Sequence, residues 1–244
     1  MLVASGVWKE GLATSEQVYR LHLGCGTNTP DGWINLDGAW SAWLGKHQIV
    51  CRMLKGLHVL PVSLRDMSTD IIIHDVRKPL PFQDNTIHVI YASHLLEHLY
   101  LEEAKRLLKE CFRILQPGGI LRMVVPDLRA IILEYMGEKI LSNSSDNMKA
   151  ASPADRLNRR LAFRVSDPSA NGILYRIYNS IKDFHSHKWM YDADSLIMYF
   201  EQADFVDVQQ LGFHQSLVEG IEEIEESERV LDGAGVCIEG IKPE

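Results

Sequence analysis

The chain has 244 residues, 46% of them hydrophobic and 24% charged, a composition that excludes wholesale disorder and matches an ordinary globular protein. That length can bury a full core, so a single α/β domain over residues 1–244 is the leading expectation. A formal net charge of −8 argues against nucleic-acid binding by broad phosphate neutralisation, yet leaves nucleotide-sized and carbohydrate ligands open.

In chain order, residues 1–18 show weak periodicity and read as a frayed tail or a short helix. From Tyr19 onward, short apolar runs alternate with helical stretches, the pattern of a mostly parallel sheet with helices on both faces. The runs at 20–24, 34–37, 70–74, 89–93 and 120–125 are predicted strands. Residues 38–69, with Trp40, Trp43, Met53 and Leu54, lack clean periodicity. A helix is expected over 101–115, where Leu107, Leu108, Cys111, Phe112 and Leu115 recur at helical spacing. It should stop at Pro117-Gly118-Gly119. Residues 127–191 then interrupt the alternation, with helical patterns at 127–136 and 154–163 around a polar connection at 142–147. An insertion of this length predicts a helical lid or a substrate surface. A helix capped by Asp192 over 192–202 and strands at 206–211 and 236–241 complete the pattern.

Cys25, Cys51, Cys111 and Cys237 are scattered without a C-x-x-C pair, which points to reduced thiols in a cytoplasmic protein. No apolar run approaches the roughly 18–20 residues of a membrane span, and the N-terminus lacks a basic-then-apolar leader pattern. Oligomeric state is not legible from these features.

The most informative segment is Leu23-Gly24-Cys25-Gly26-Thr27-Asn28, which follows the first strand, with Asp37 closing the second. Glycines let a ligand approach backbone, and a carboxylate at a strand end accepts hydrogen bonds from ribose hydroxyls. A dinucleotide fingerprint needs a third glycine and an acid about 20 residues on. Here Thr29 occupies the third position and Asp37 follows Gly26 by 11 residues. There is little room for a helix cradling a pyrophosphate, so a ribose ligand without phosphate, such as S-adenosylmethionine, fits better.

Other segments join this one in a recognisable order. Gly24-Cys25-Gly26, Asp37, His74-Asp75-Val76 with Leu80-Pro81-Phe82-x-Asp84, Ser93-His94-Leu95-Leu96-Glu97-His98 and Leu115-Gln116-Pro117-Gly118-Gly119 together resemble the class I S-adenosylmethionine-dependent methyltransferases. The resemblance covers roughly residues 20–127, continues more weakly from about 183, and is nearest to the type 11 members of glycan and secondary-metabolite pathways. It implies a Rossmann-like seven-stranded sheet with one antiparallel strand near its edge and a reduced first helix. It also implies S-adenosyl-L-methionine as cofactor, held by Leu23, Gly24, Cys25, Gly26, Asn28, Asp37, His74, Asp75, Val76, Ser93, His94 and His98. Asp37 would take the ribose and Asp75 the adenine amino group. The implied partner is a small-molecule or glycan-precursor substrate, not a nucleic acid.

Two histidine segments carry competing readings. His94 and His98 with Glu97 match the H-x-x-E-H pattern of zinc proteases. Their position after a buried strand instead favours capping of a nucleotide pocket, and no metal is expected. In His185-Ser186-His187, either imidazole suits a general base or an acceptor-orienting group, since histidine titrates near working pH. A polar turn anchored by Trp189 and Tyr191 is the alternative. A metal at this pair lacks an evident third ligand. Arg156, Arg160 and Arg164 share a helical face, suited to a phosphate-bearing substrate or to pairing with nearby acids. Glutamates between 219 and 228 read as a solvated connector, and Cys25 as a small side chain rather than a nucleophile.

Methyl transfer is an in-line displacement in which placement and exclusion of water do most of the work. Two other functions stay open: a non-catalytic binding protein of this fold, and a nicotinamide-dependent oxidoreductase.

Overall fold

The computed structural model describes residues 18–39, 42, 70–138, 141, 151–161, 186–231 and 235–244. The expectations for the first 17 residues, Trp40, Trp43, Met53, Leu54, the 142–147 connection, Arg164 and His185 lie outside them.

Seven strands form one sheet: β1 (Arg20–Leu23), β2 (Trp33–Asp37), β3 (Ile71–Ile73), β4 (Ile87–Ser93), β5 (Leu115–Val125), β6 (Val206–Leu211) and β7 (Val236–Ile241). Their order is β3-β2-β1-β4-β5-β7-β6. The five strands from β3 to β5 are parallel, while β7 runs antiparallel to both β5 and the edge strand β6. The α/β architecture is as the periodicity predicts, and the antiparallel strand near one edge is as the resemblance implies. No helix separates β1 from β2; the described residues there are turns.

One face of the sheet is dry. Alternate residues Leu21, Leu23, Leu36, Ile90 and Leu121 point into a cluster completed by α1 (Leu101–Ile114) and α4 (Ala193–Glu201). Helix α1 buries Ala104, Leu107, Leu108, Cys111 and Ile114, the stripe set by its i, i+3, i+4 spacing. Its start is held by the Glu103 carboxylate, which accepts from Tyr100 N at 3.0 Å. Its last turn is capped by Lys242, whose ammonium donates to the carbonyls of Phe112 and Leu115 at 2.8 Å each. Asp192 caps α4 as expected, accepting from Ser195 N at 2.9 Å.

The expected stop at Pro117-Gly118-Gly119 takes another form. Helix α1 ends at Ile114, and β5 begins at once with Leu115. The strand register then jumps from the Ile87–Leu115 pair to the Val89–Ile120 pair. Proline has no N–H for the ladder and Gly118 sits at φ +75°, so these residues bulge out of the strand.

The opposite face is polar and carries His22, Asn35, Arg122 and Glu239, all buried. Among the described residues, its cover is not a long helix. Phe213, Val218, Ile221, Ile224 and Val230 pack over Trp33, Tyr91 and Val124, from irregular chain with a 3-10 turn at Ile221–Glu223 and the one-turn α5 (Ser227–Val230). The glutamate-rich connector is therefore only partly solvated. Glu225 is buried and takes a bidentate contact from Arg122 Nη2 at 2.8 and 3.0 Å. Arg122 also reaches Glu239 at 3.4 Å and donates to the carbonyls of Gly212 and Gln215. A buried guanidinium with five donors needs such acceptors, and the 212–225 segment supplies them.

The segment after β5 holds α2 (Leu128–Met136) and α3 (Pro153–Leu161), which pack together. Arg160 Nε meets Glu134 at 2.6 Å, and Arg156 donates to the Ala151 carbonyl at 2.6 Å. Within the described residues, Arg160 follows the pairing alternative, while Arg156 is held by a backbone carbonyl.

Candidate cofactor site

The strand order reverses between β1 and β4, and ligands of open α/β sheets bind outside the carboxyl ends at such a point. The Gly24-Cys25-Gly26 turn lies there. Gly24 (φ +66°) and Gly26 (φ +55°) both adopt left-handed backbone that a side chain would strain. They differ in surroundings. A Cβ on Gly24 would stand 3.0 Å from Leu95 Cδ1, whereas one on Gly26 would meet nothing within 4 Å. Gly24 thus sits tightly against Leu95, and Gly26 exposes its backbone to open space.

Asp37, buried at the end of β2, binds this turn directly. Its carboxylate accepts from Gly26 N at 2.8 Å and from Ala39 N at 2.6 Å. Each oxygen keeps capacity for another donor, because an ionised carboxylate has about four acceptor positions. The next strand end lies alongside, with His74 N donating to the Asp37 carbonyl at 3.1 Å. His74 Nε2 lies 3.1 Å from the Pro79 carbonyl, and Val76 is in the core. Asp75 is held by Arg77 at 2.8–3.0 Å through both carboxylate oxygens, and this hydrogen bonding keeps it below the usual carboxylate range. The Leu80-Pro81-Phe82-x-Asp84 stretch is stapled by Arg113, which donates to the carbonyls of Leu80 and Phe82 and to Asp84.

Beside the turn, on the polar face, a small pocket is lined by His22, Gly24, Cys25, Asn28, Tyr91, Ser93, Ile224, Glu226 and Arg229. Asn28 Nδ2 donates to the Ile224 carbonyl at 2.9 Å, closing one rim. No close hydrogen bond satisfies the buried atoms His22 Nδ1, Tyr91 Oη and Ser93 Oγ, although Tyr91 interacts with Ser93, and His22 with Asn35 and the Asn28 backbone. Buried polar groups are ordinarily satisfied, so these three fit a polar ligand or water. Burial, followed by the Arg229 charge, pushes His22 down to about 4 and keeps it neutral. Burial, then the Asp37 charge, pushes the Cys25 thiol up to about 12, in keeping with a packing role. Leu23 is fully buried, so only its backbone faces this end of the sheet.

The expected residues therefore divide. Leu23, Gly24, Cys25, Gly26, Asn28, Asp37 and Ser93 gather at the ends of β1, β2 and β4, with His74, Asp75 and Val76 next to them. His94 and His98 follow Ser93 and approach Glu97, at 3.4 and 3.9 Å, and His94 Nε2 lies 3.0 Å from the carbonyl of the pocket residue Arg229. His187 joins them, its ring centroid 5.2 Å from that of His98, and burial lowers its pKa. His22, Tyr91, Glu226 and Arg229 were not expected at the site. For His22 and Asn35 the signal was present, since both are polar residues at facing positions of apolar strands.

Residues 21–123 match the family model of a methyltransferase domain. No curated protein matches the sequence. Among solved structures, the chain is similar to an S-adenosylmethionine-dependent methyltransferase from Archaeoglobus fulgidus, at 16% identity and a TM-score of 0.45, covering 92% of this chain and 86% of that one. It is similar to a possible histamine N-methyltransferase from Thermotoga maritima, at 18% identity and a TM-score of 0.42, over 92% and 81%. It also aligns with the CurJ carbon methyltransferase, at 14% identity and a TM-score of 0.46, over 96% of this chain but half, 50%, of that one.

Proposed function

We propose that this chain, whose residues 21–123 match the family model of a methyltransferase domain, is a class I S-adenosylmethionine-dependent enzyme that methylates a small molecule or glycan precursor. The observation that carries this reading is the Gly24–Gly26 turn bound to Asp37 at the switch point of the sheet. The cofactor supplies an electrophilic methyl group on a sulfonium, so the protein need not activate the donor.

In this reading the protein binds, aligns and excludes water. Gly26 offers backbone without a side chain in the way, and Asp37 takes the ribose hydroxyls through its remaining acceptor positions. Asp75, kept ionised by Arg77, accepts from the adenine amino group. Leu23, Cys25, Asn28, His74, Val76 and Ser93 border the same ligand. Residues 127–191 form the acceptor side of a single domain, with His185 and His187 as base or orienting groups. The buried Asp37 at a short interval favours a nucleoside over a dinucleotide. Free, buried Cys25, Cys111 and Cys237 support a cytoplasmic setting. Among the described residues no helix is long and apolar enough to cross a membrane.

Differential scanning fluorimetry with S-adenosylhomocysteine and with NAD tests the donor. The first should raise the melting temperature and the second should leave it unchanged. A shift with NAD alone would overturn the reading.

A further inference from the structure

Glu97 sits on the 3-10 turn Leu96–His98 and is completely buried, yet neither carboxylate oxygen has a hydrogen-bond partner. A desolvated carboxylate with unmet acceptor capacity is costly, and native structures relieve it with a proton or a cation. Its neighbours are imidazoles held by outer hydrogen bonds. His94 Nε2 lies 3.0 Å from the Arg229 carbonyl, and His98 Nδ1 lies 3.3 Å from the Ser186 carbonyl. A carbonyl can only accept, so those nitrogens carry the proton. The other nitrogen of each ring lies toward Glu97, at 3.4 Å for His94 and 3.9 Å for His98. His187 adds a third imidazole, with Nδ1 buried and unpartnered and a hydrogen bond to the Leu161 backbone. A buried carboxylate ringed by imidazole nitrogens needs a proton or a cation among them.

We propose that Glu97, His98 and His187 bind a divalent transition-metal ion through one carboxylate oxygen and two imidazole nitrogens. Their ligand atoms all lie within 4.8 Å of one another. Zinc bonds of about 2.0–2.1 Å put tetrahedral ligands about 3.4 Å apart, so modest side-chain closure completes the set. Two histidines and one carboxylate suit zinc or iron, and three protein ligands leave a coordination position open. The carbonyls of Ser186 and the Leu161 backbone play the usual outer role, fixing which imidazole nitrogen faces the metal. The ion ties the turn after β4 to the 186–191 segment across a separation that sequence spacing cannot reveal. With one nitrogen on the metal and the other on the Leu161 backbone, His187 does not serve as a free base.

The test titrates zinc into full-length protein stripped with a chelator, with calorimetry and thermal melting as readouts. One equivalent should bind and raise the melting temperature. Glu97→Gln, His98→Ala and His187→Ala should each weaken zinc at least ~10-fold, while His88→Ala should not. Circular dichroism checks that each variant is folded. If an alanine variant fails to fold, His187→Gln is compared with wild type by the visible absorption of bound cobalt, which should be lost. No zinc uptake by wild type, with Glu97→Gln merely more stable, would mean a proton alone relieves the carboxylate and would overturn the proposal. Uptake unaltered in all the variants would overturn it as well, placing the ion elsewhere. S-adenosylhomocysteine affinity, measured on the same stripped protein, reports on the donor site independently.

Discussion

The two faces of the sheet solve the same burial problem by different means. Under α1 and α4, Leu21, Leu23, Leu36 and Ile90 meet Leu107, Leu108 and Phe200 without a polar atom among those side chains. On the other face His22, Asn35, Arg122 and Glu239 are buried beneath irregular chain, and hydrogen bonds and ion pairs do part of the work of packing. A dry face needs only complementary shape. A polar face needs each partner present, so the loss of one strands the others. The Gly24–Gly26 turn and the small pocket open toward the polar side, beside the buried polar atoms of His22, Tyr91 and Ser93.

The largest effect should come from stranding charge on the polar face. Arg122→Met removes the partner of Glu225 and Glu239, both buried, and should cost about 3–5 kcal/mol in urea denaturation. Adding Glu225→Gln and Glu239→Gln to that variant should recover much of the loss, because no charge is then left unpaired. Equal instability in the single and triple variants would mean that packing, rather than charge, holds the 212–225 segment.

On the dry face the comparable change is Leu108→Ala, which should cost about 2–5 kcal/mol through lost transfer energy and a cavity. That loss should not vary with pH, in contrast to the polar face. His22 is held at about 4 when folded and returns to its ordinary 6.5 when unfolded. The unfolded chain therefore binds the proton more readily, and stability is full above pH 6.5 and declines as pH falls toward 4. The decline from this one group is at most ~3 kcal/mol. Stability measured across that window in wild type and His22→Gln should show a shallower slope in the variant. Parallel curves would remove His22 from the account.

The same contrast governs what the sequence made legible. Strands β1 to β7, the stripe of α1 and the Asp192 cap follow from local spacing, because each is a property of a few consecutive residues. Gly24, Gly26 and Asp37 were readable for the same reason: two left-handed turn positions and one strand end lie within 14 residues. The contact between Arg122 and Glu225 spans 103 residues and leaves no periodic trace. From composition alone, Glu225 is indistinguishable from its solvated neighbours. The meeting of His187 with Glu97 and His98 is equally hidden, since a third ligand is absent from either motif taken alone. Leu80-Pro81-Phe82-x-Asp84 was legible as a motif, whereas its stapling by Arg113 from α1 needed the fold. The bulge at Pro117-Gly118-Gly119 was misplaced as a stop because the same residue types serve turns and bulges alike.

The central claim is that the turn closed by Asp37 holds the methyl donor. Isothermal titration of S-adenosylhomocysteine into wild type and Asp37→Asn tests it most directly. Asparagine keeps the shape, removes the charge and retains one acceptor oxygen. Wild type should bind one equivalent, and the variant should bind at least ~10-fold more weakly, consistent with the 1.5–3 kcal/mol of hydrogen bonds to a charged group. Equal affinity in a folded variant would contradict the account.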